Sequence, residues 1–236
     1  RRLIALIAGL LAFGWADAIR DVAATAGDPA TTAAYYAPLN RFLAAQGGPP
    51  FRTEIPFTRL HWEADEVAPR FPLARGWERQ LDVADNPLFY TGRLTAARYE
   101  RWLHDNAVRF VAVADVRLDP SARAEAALVA RGLPDLRLVA RLPHWRVYAV
   151  AGATPIVSGP ARLTALGPEW LATTARAAGR LVVRVHFSPY WALATGGGCV
   201  SPDGDDVQLA LRRAGSVRLV MRFALDRIGA RSPRCT

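Results

Sequence analysis

The sequence predicts an α+β fold in which a small α/β unit over residues 21–152 precedes an antiparallel β-sandwich-like unit over residues 153–236. Helical and strand-like patterns alternate up to Gly152, as they do in α/β units. Beyond that glycine, short segments alternate apolar with polar or basic residues and are separated by Gly, Pro and Asp-Gly, as in half-buried antiparallel strands. An apolar stretch over residues 1–20 comes first, and we interpret it as the remnant of a membrane helix.

The apolar stretch begins after Arg1 and Arg2 and carries no charge from Leu3 to Ala16. As a helix this run rises about 21 Å, which is short of the ~30 Å hydrocarbon core of a bilayer. Three interpretations remain open: the trimmed end of a transmembrane helix, a signal segment with a small-x-small site at residues 16–18, or an ordinary buried helix. Arginine marks the cytoplasmic side of a membrane, so the first two interpretations place the rest of the chain outside the cell membrane.

The α/β unit opens with a helix signal at Asp28 and Pro29, an N-cap residue followed by proline at the first helical position. Apolar side chains then recur on one helical face, at Tyr35, Leu39, Phe42 and Leu43. The Gly-Gly-Pro-Pro run at residues 47–50 ends this helix, and residues 51–57 follow as a short strand. Residues 59–90 are then predicted to form a loop with one helical turn.

The remainder of the α/β unit reads as two helices and three strands. The predicted elements are a helix over residues 95–104 capped by Thr95, a strand over 108–114, a helix over 119–130 opened by Asp119 and Pro120, and strands over 136–141 and 145–150. Asn106 and Gly132 are predicted to end the two helices, with Asn106 in a left-handed conformation. The sandwich strands are predicted over residues 161–166, 180–187, 206–212 and 216–223.

Arginine supplies all 30 basic residues, and against 21 Asp and Glu it leaves a net charge of +9 spread along the whole chain. A basic domain can bind nucleic acid, anionic lipid or anionic glycan. Arginine dispersed by a GC-rich genome explains the same composition more simply, and the sequence has no zinc-finger spacing, RNP1-like run or lysine-rich tail. We therefore predict no nucleic-acid partner.

The two cysteines, Cys199 and Cys235, both lie near the carboxy-terminal end of the sequence. A single pair in an exported domain predicts one disulfide, whereas the alternative is two unrelated thiols. Because C-x₂-C spacing is absent, we predict no zinc site. The acidic residues 203–206 lack the other ligand positions of a calcium loop and are interpreted as a hairpin turn. No metal or other cofactor is predicted.

Residues 59–90 mix aromatic, acidic and basic side chains in a way that suits neither a plain core element nor a plain solvated face. His61, Trp62 and Glu63 place an imidazole and a carboxylate two positions apart, and a strand would project both to one face. A metal site or an acid–base pair would use such a spacing. A salt-bridged surface pair beside a packed tryptophan is the simpler interpretation.

A second group follows at Arg75, Trp77, Glu78 and Arg79. Arginine forks beside an aromatic platform bind anionic or sugar ligands well. The same residue types also form internal ion-pair networks that organise a long loop, and we favour that structural role. No nucleophile, metal-ligand set or phosphate-binding loop accompanies either group, so no catalytic residue is predicted.

The chain resembles a known family through a succession of segments: DPATTAAYYAPLNRFL, HWEADEVAP, PLARGWERQLDVADNPLFY, RYERWLHDNAVRFVAV and HWRVYAV. Together they are similar to the carboxy-terminal extracytoplasmic region of large polytopic bacterial membrane proteins, actinobacterial in character, of the YfhO-like and GT-C glycosyltransferase-like group. The resemblance covers residues 1–150 well and residues 150–236 more loosely, through the order of strands and through FSPYW followed by GCV.

The resemblance implies a many-pass membrane body, with this chain following the last helix. In GT-C enzymes the catalytic acidic residue sits in an early extracytoplasmic loop and the donor is a polyprenyl-phosphate sugar, so the resemblance carries no catalytic residue over to this chain. It implies an accessory role, such as gripping an acceptor or covering the membrane site. The positions that match its recurring motif are His61, Trp62, Glu63, Arg75, Trp77, Glu78 and Arg79.

The predicted function is that of an extracytoplasmic domain, accessory to the transfer of envelope glycan or lipid-linked sugar and not catalytic by itself. Its predicted partners are the membrane through the N-terminal helix, the rest of the same protein, and an envelope glycan or lipid-linked sugar. The predicted location is the cell membrane, with the residues after about 20 outside. The alternative is a secreted or tethered module that binds a glycan or another partner. A free-standing hydrolase would need His61, Glu63 and another acidic residue to converge in one pocket.

Overall fold

The computed structural model describes residues 2–223 and Cys235, and these residues adopt the α+β fold that the sequence predicts. The α-helices are α1 (Arg2–Thr25), α2 (Ala33–Ala44), α3 (Glu63–Glu66), α4 (Arg79–Asp85), α5 (Ala96–Asp105) and α6 (Arg123–Arg131). The first four strands are β1 (Arg52–Glu54), β2 (Val108–Ala114), β3 (Leu136–Leu142) and β4 (Trp145–Val150). The strands that follow are β5 (Val157–Ser158), β6 (Ala161–Gly167), β7 (Trp170–Ala175), β8 (Gly179–Val183), β9 (Trp191–Thr195), β10 (Gly198–Asp203), β11 (Asp206–Leu211) and β12 (Gly215–Met221).

The first unit is a four-stranded sheet with helices on both faces. Its strand order is β1-β2-β4-β3, with β1 parallel to β2 and the other pairs antiparallel. Leu39 of α2 packs with Phe110 of β2 on one face, whereas Trp102 of α5 and Leu128 of α6 pack with Val111 of β2 on the other. Because both faces are covered, β2 is apolar at six of its seven positions, as the sequence VRFVAVA indicates.

The second unit is a sandwich of two antiparallel four-stranded sheets. One sheet has the order β10-β11-β8-β5 and the other has the order β6-β7-β12-β9. Leu181 and Leu209 of the first sheet share one fully buried core with Leu171 and Leu219 of the second. The core follows from the alternation along these strands, in which inward residues are apolar and many outward residues are polar or basic.

The sandwich contains more strands than the sequence predicts. β6, β8, β11 and β12 lie in the predicted segments, but β8 ends at Val183 and the predicted extension to residue 187 is wrong. β5, β7, β9 and β10 are absent from the prediction. β5 has only two residues, and Ala in β7 and β9 and Gly, Pro and Asp in β10 have low β propensity. The hairpin turn between β10 and β11 is confirmed, and Gly204 occupies its positive-φ position.

The first helix of the α/β unit begins later than predicted. The Asp28 side chain accepts a hydrogen bond from the Ala30 N–H and caps a 3₁₀ turn, Pro29–Thr31. The α-helix itself begins at Ala33. The N-cap signal at Asp28 is therefore real, but it opens a separate turn before α2.

The helix α5 begins as predicted and ends differently. The Thr95 side chain accepts a hydrogen bond from the Arg98 N–H. The predicted left-handed conformation of Asn106 is wrong, because Asn106 has a φ of −88° and Ala107 takes the positive φ of 54°. The Asn106 side chain donates to the Trp102 carbonyl, and Ala107 is buried in the sandwich core, so packing holds this backbone conformation.

Residues 59–90 contain more helix than the single turn predicted. The helices α3 and α4 and a 3₁₀ turn at Pro87–Phe89 lie in this segment. His61 is not on a strand, because its φ is 58° and its carbonyl accepts a hydrogen bond from the Ala64 N–H at the start of α3. The strand that would project His61 and Glu63 to one face is therefore not formed, and the two residues instead flank the start of α3.

Arg52 and Ala107 are among the residues that join the α/β unit to the sandwich. The Arg52 guanidinium of β1 donates to the backbone carbonyls of Asn106 and Arg184, at 2.6 and 2.9 Å. Ala107, at the end of the α5–β2 turn, packs among the core residues of the sandwich. Because residues 151–156 are the only link along the chain, these contacts fix the groove that opens between the two units.

The helix α1 passes residue 20, the predicted end of the apolar stretch, and continues to Thr25. Four large apolar side chains of this helix are exposed: Phe13, Trp15, Ile19 and Val22. Within residues 2–223, no helix has both the length and the apolar character that a membrane crossing needs.

The predicted disulfide is confirmed. Cys199 of β10 is bonded to Cys235, and their Cα atoms lie 5.3 Å apart. The bond attaches Cys235 to the sheet that contains β10 and β11.

Candidate functional site

Arg75 is the centre of a buried ionic network in residues 59–90. Its side chain has no exposed surface, and its Nε and Nη2 donate to both oxygens of Asp82 at 3.1 and 2.6 Å. Its Nη1 donates to the Glu125 carboxylate on α6 at 3.1 Å. The guanidinium lies between the rings of Phe57 and Phe89, at 4.2 and 3.8 Å from their centroids. Because this fork is bound by two carboxylates, lies between two rings and has no exposed surface, a ligand cannot reach it.

The two carboxylates have further donors. The Tyr99 hydroxyl donates to Glu125 at 2.7 Å, and the Asn86 amide donates to Asp82 at 3.0 Å. The Tyr90 hydroxyl also donates to Asp82. Burial lowers the pKa of Arg75, but the Asp82 hydrogen bonds and the nearby carboxylates outweigh it and raise the pKa overall. Arg75 therefore stays protonated, and its network connects residues of α4, α5 and α6.

Glu54 of β1 adds a third buried carboxyl. Burial raises the pKa of Glu54 well above its usual range, and burial also raises the pKa of Glu125. The nearby Glu125 carboxyl also acts to raise the pKa of Glu54, and neither Glu54 oxygen has a hydrogen-bond partner among the described residues. Two such carboxyls hold one proton between them. The Glu54 carboxyl is therefore protonated at neutral pH.

A second cluster surrounds His61. The Glu63 carboxylate accepts from the Thr58 hydroxyl at 2.5 Å and from the Thr58 N–H at 3.2 Å, and burial raises the pKa of Glu63 to about 7. His61 Nδ1 lies 3.8 Å from Glu63, and its Nε2 lies 3.6 Å from Asp119. Arg79 Nη2 donates to Asp119 at 2.7 Å. The cluster thus links α3, the start of α4 and the turn before α6.

The charges of this second cluster are set by its surroundings. Burial lowers the pKa of His61, so the imidazole is neutral at neutral pH. Burial also acts to raise the pKa of Asp119, but hydrogen bonds from Ser121 and Arg79 outweigh it and lower the pKa to about 2. The Ser121 hydroxyl donates to Asp119 at 2.6 Å, so its proton is already engaged. A neutral imidazole faces two carboxyl groups here at distances longer than a hydrogen bond.

The structure brings only part of the predicted site together. His61, Glu63 and Arg79 meet through Asp119, and the Phe57 ring touches both this cluster and the Arg75 network, since it lies 4.6 Å from the His61 ring. The other three predicted residues, Trp62, Trp77 and Glu78, lie at the surface. In the described part of the chain, no group of three His, Cys, Asp or Glu side chains has the arrangement of a metal site.

The sequence does not predict the acidic residues that bond to or face the predicted site residues. Glu54, Asp119 and Glu125 lie 21 residues before and 44 and 50 residues after Arg75 along the chain, so no local spacing connects them to it. Asp119 was predicted only as a helix opener, and it does cap the turn before α6. Its second role as the acceptor for Arg79 depends on the fold.

Several apolar side chains within residues 59–90 are exposed. Trp77 has 62% of its surface exposed, and Leu81 and Val83 of α4 are also exposed. The indole of Trp62, just before α3, is partly exposed as well. Exposed tryptophan beside aliphatic residues is typical of surfaces that meet a partner or a membrane interface.

A large groove lies between the α/β unit and the sandwich, away from the predicted site residues. Its volume is about 1530 Å³, and it is open to solvent. Four arginines line it, and we call them the groove arginines: Arg109, Arg137, Arg162 and Arg176. No Asp or Glu side chain is among the described residues that line it. The sequence does not predict this groove, because its arginines come from β2, β3, β6 and the residue after β7.

The resemblance to YfhO-like and GT-C glycosyltransferase-like proteins rests on the sequence motifs given above and stays a prediction. Comparison of the chain with protein-family models, with curated proteins and with solved structures finds no match.

Proposed function

We propose that this chain is a non-catalytic extracytoplasmic domain of a multi-pass membrane protein, accessory to the transfer of envelope glycan or lipid-linked sugar. The proposal rests on residues 59–90, whose buried charged side chains bond to other side chains of the fold and not to the surface. The charged groups that an active site in this segment would use are engaged within the fold, Arg75 with Asp82 and Glu125, and Arg79 with Asp119.

Catalysis needs a group that a substrate can reach and that can take or give a proton there. The side chain of Arg75 is 0% exposed and that of Glu63 is 1% exposed, and both are hydrogen-bonded. His61 Nδ1 is buried and faces Glu63 across 3.8 Å. This geometry supports a structural role for the segment in shaping one face of the domain.

Two further observations support a location at the outer face of a membrane. The Cys199–Cys235 disulfide is typical of proteins outside the reducing cytoplasm. The exposed apolar side chains of α1 and of the Trp77 region provide surface for contact with lipid or with membrane helices.

The location is tested by labelling in intact cells. Ser216 is exposed on β12, and both native cysteines are paired, so Ser216→Cys introduces a single reactive thiol. We expect a membrane-impermeant maleimide to label this variant equally before and after cell lysis. Labelling that appears only after lysis would refute an extracytoplasmic location.

The accessory role is tested by sugar transfer from a polyprenyl-phosphate donor, measured in membranes that contain the complete protein. We expect His61→Ala and Glu63→Gln to keep the transfer rate within about threefold, whereas loss of a general acid or base costs about 10²–10⁴-fold. A hundredfold loss with an unchanged melting temperature would make this cluster catalytic. Arg101→Ala, an exposed change on α5, serves as the control.

A second candidate function is a secreted or tethered module that binds a glycan or another envelope partner. The groove between the two units favours it, because a groove of this size serves binding and needs no catalytic group. A mature amino terminus at Ile19 would favour this candidate over the membrane-attached one.

A further inference from the structure

We propose that the groove between the α/β unit and the sandwich is a binding site for a phosphate-bearing glycan chain. That the ligand is a glycan is inferred from the proposed envelope function. That it carries several negative charges is inferred from the groove alone. The groove arginines would hold the phosphates, and the polar and apolar walls between them would hold the sugar or polyol links.

The groove arginines come from both walls. Arg109 and Arg137 belong to the sheet of the α/β unit. In the sandwich, Arg162 belongs to β6 and Arg176 directly follows β7. Arginine is charged at every physiological pH and its planar fork matches two oxygens of a phosphate. Cations on opposite walls suit a ligand that lies along the groove and carries more than one anionic group.

The described lining of the groove combines four arginines with no Asp or Glu side chain. Among residues 2–223, the arginines that form ion pairs are Arg20, Arg75 and Arg79, and none of the groove arginines is among them. Four cations with no acidic residue in the described lining create a local positive potential that would attract polyanions.

Arg109 is already held in place. Its Nη1 donates to the Gly47 carbonyl at 3.0 Å, and its guanidinium lies over the rings of Phe51 and Phe110, at 4.9 and 5.1 Å from their centroids. A fixed cation binds an anion at a smaller entropic cost than a mobile one. Its remaining N–H groups are available at the groove wall, since Arg109 is only partly buried.

The walls favour a glycan over nucleic acid. A single-stranded nucleic acid binds through bases stacked on aromatic side chains, but Phe51 and Phe110 here pack edge to face at 5.3 Å and are covered by Arg109. The side chains of Gln46 and Thr174 add neutral polar groups of the kind that contact hydroxyls. The volume of about 1530 Å³ also exceeds the ~300–1,000 Å³ typical of sites for small molecules.

The test measures binding to the folded chain by fluorescence anisotropy. The probe is a labelled glycerol phosphate oligomer, whose phosphates are spaced by neutral polyol. Neutral dextran, a single-stranded DNA oligomer and vesicles that contain phosphatidylglycerol are the comparison ligands. We expect the phosphate oligomer to bind at moderate salt, dextran not to bind, and DNA and vesicles to bind at least tenfold more weakly.

The variants locate the site. Arg137→Ala with Arg162→Ala removes one exposed cation from each wall, and Arg101→Ala with Arg213→Ala removes two exposed cations outside the groove. We expect the first pair to raise the Kd at least tenfold and the second pair to change it less than twofold. Each lost phosphate contact should also make the dependence of log K on log salt shallower, because fewer counterions are released on binding. Charge reversal in Arg162→Glu should weaken binding further than Arg162→Ala.

Several results would overturn the proposal. Equal weakening by the two double variants would mean that the net charge of the chain, and not the groove, binds the probe. If DNA or the vesicles bind more tightly than the phosphate oligomer, the ligand of the groove is a nucleic acid or a lipid surface and not a glycan. If the oligomer does not bind, the proposed site is excluded. If the oligomer binds through the groove but maleimide labels Ser216→Cys only after lysis, the anion site stands and the proposed envelope function fails.

Discussion

Replacement of Arg75 by methionine is expected to lower the free energy of unfolding by about 4 kcal/mol. The substitution keeps much of the side-chain volume but leaves the buried carboxylates of Asp82 and Glu125 without their cation. Breaking a fully buried pair in this way costs about 3–5 kcal/mol, because an uncompensated charge remains in the interior. The contacts of the guanidinium with Phe57 and Phe89 would add roughly 0.5–2 kcal/mol each, part of which methionine recovers through apolar contact.

The assay is urea unfolding followed by circular dichroism, with thermal unfolding alongside. For a chain of 236 residues, a loss of about 4 kcal/mol lowers the melting temperature by about 8–16 °C. Arg75→Lys keeps the charge but loses the fork, and we expect an intermediate loss. Arg101→Met, at an exposed position of α5, is the matched control and should stay within about 0.5 kcal/mol of the wild type.

A double-mutant cycle identifies the source of the loss. Asp82→Asn removes one of the two carboxylates that Arg75 binds, so Arg75→Met should cost less in that background, by about 1–3 kcal/mol. A loss below about 1 kcal/mol for Arg75→Met, or costs that simply add in the double variant, would refute the network as the organiser of this segment.

Two further predictions concern Glu63 and the disulfide. Burial raises the pKa of folded Glu63 from 4.5 to about 7, so the stability that protonated Glu63 contributes is present below pH 4.5 and is lost as the pH rises through 7. Over this range the free energy of unfolding of the wild type should fall by about 3 kcal/mol relative to that of Glu63→Gln. Stability curves of the two proteins that run parallel with pH would contradict this prediction. Cys199→Ser opens a loop of 36 residues and should lower stability by about 4 kcal/mol, so a melting temperature that a reducing agent leaves unchanged would argue against a structural role for the bond.

Local signals in the sequence predict the fold class and most of its helices. Thr95 and Asp119 cap the turns that they were predicted to open, because a side-chain acceptor before a helix acts on N–H groups only two or three residues away. The alternation in β11 and β12 predicts a two-layer core for a similar reason, since neighbouring side chains on a strand point to opposite faces. Asn106 shows the limit of such signals, because the packing of Ala107 decides which residue takes the left-handed conformation.

The candidate site depends on contacts that no local pattern contains. Arginine is rarely buried in proteins, so a sequence gives little reason to place Arg75 in the interior. Its burial requires Glu125 of α6 to point inward, and that carboxylate would read as part of a solvated helix face. The segment was predicted to be organised by ion pairs, and the identity of the acidic partners required the packing of α5 and α6 on the sheet.

Arginine serves opposite purposes in the two parts of this molecule. Arg75 is surrounded by carboxylates and has no exposed surface, so its charge stabilises the fold. The groove arginines stand at a wide opening whose described lining contains no carboxylate. In a chain with nine more arginines than acidic residues, some cations must lack a partner, and dispersed surface positions would cost the least repulsion. Their gathering on both walls of one groove works against that repulsion, so the arrangement is better explained by an anionic ligand than by composition.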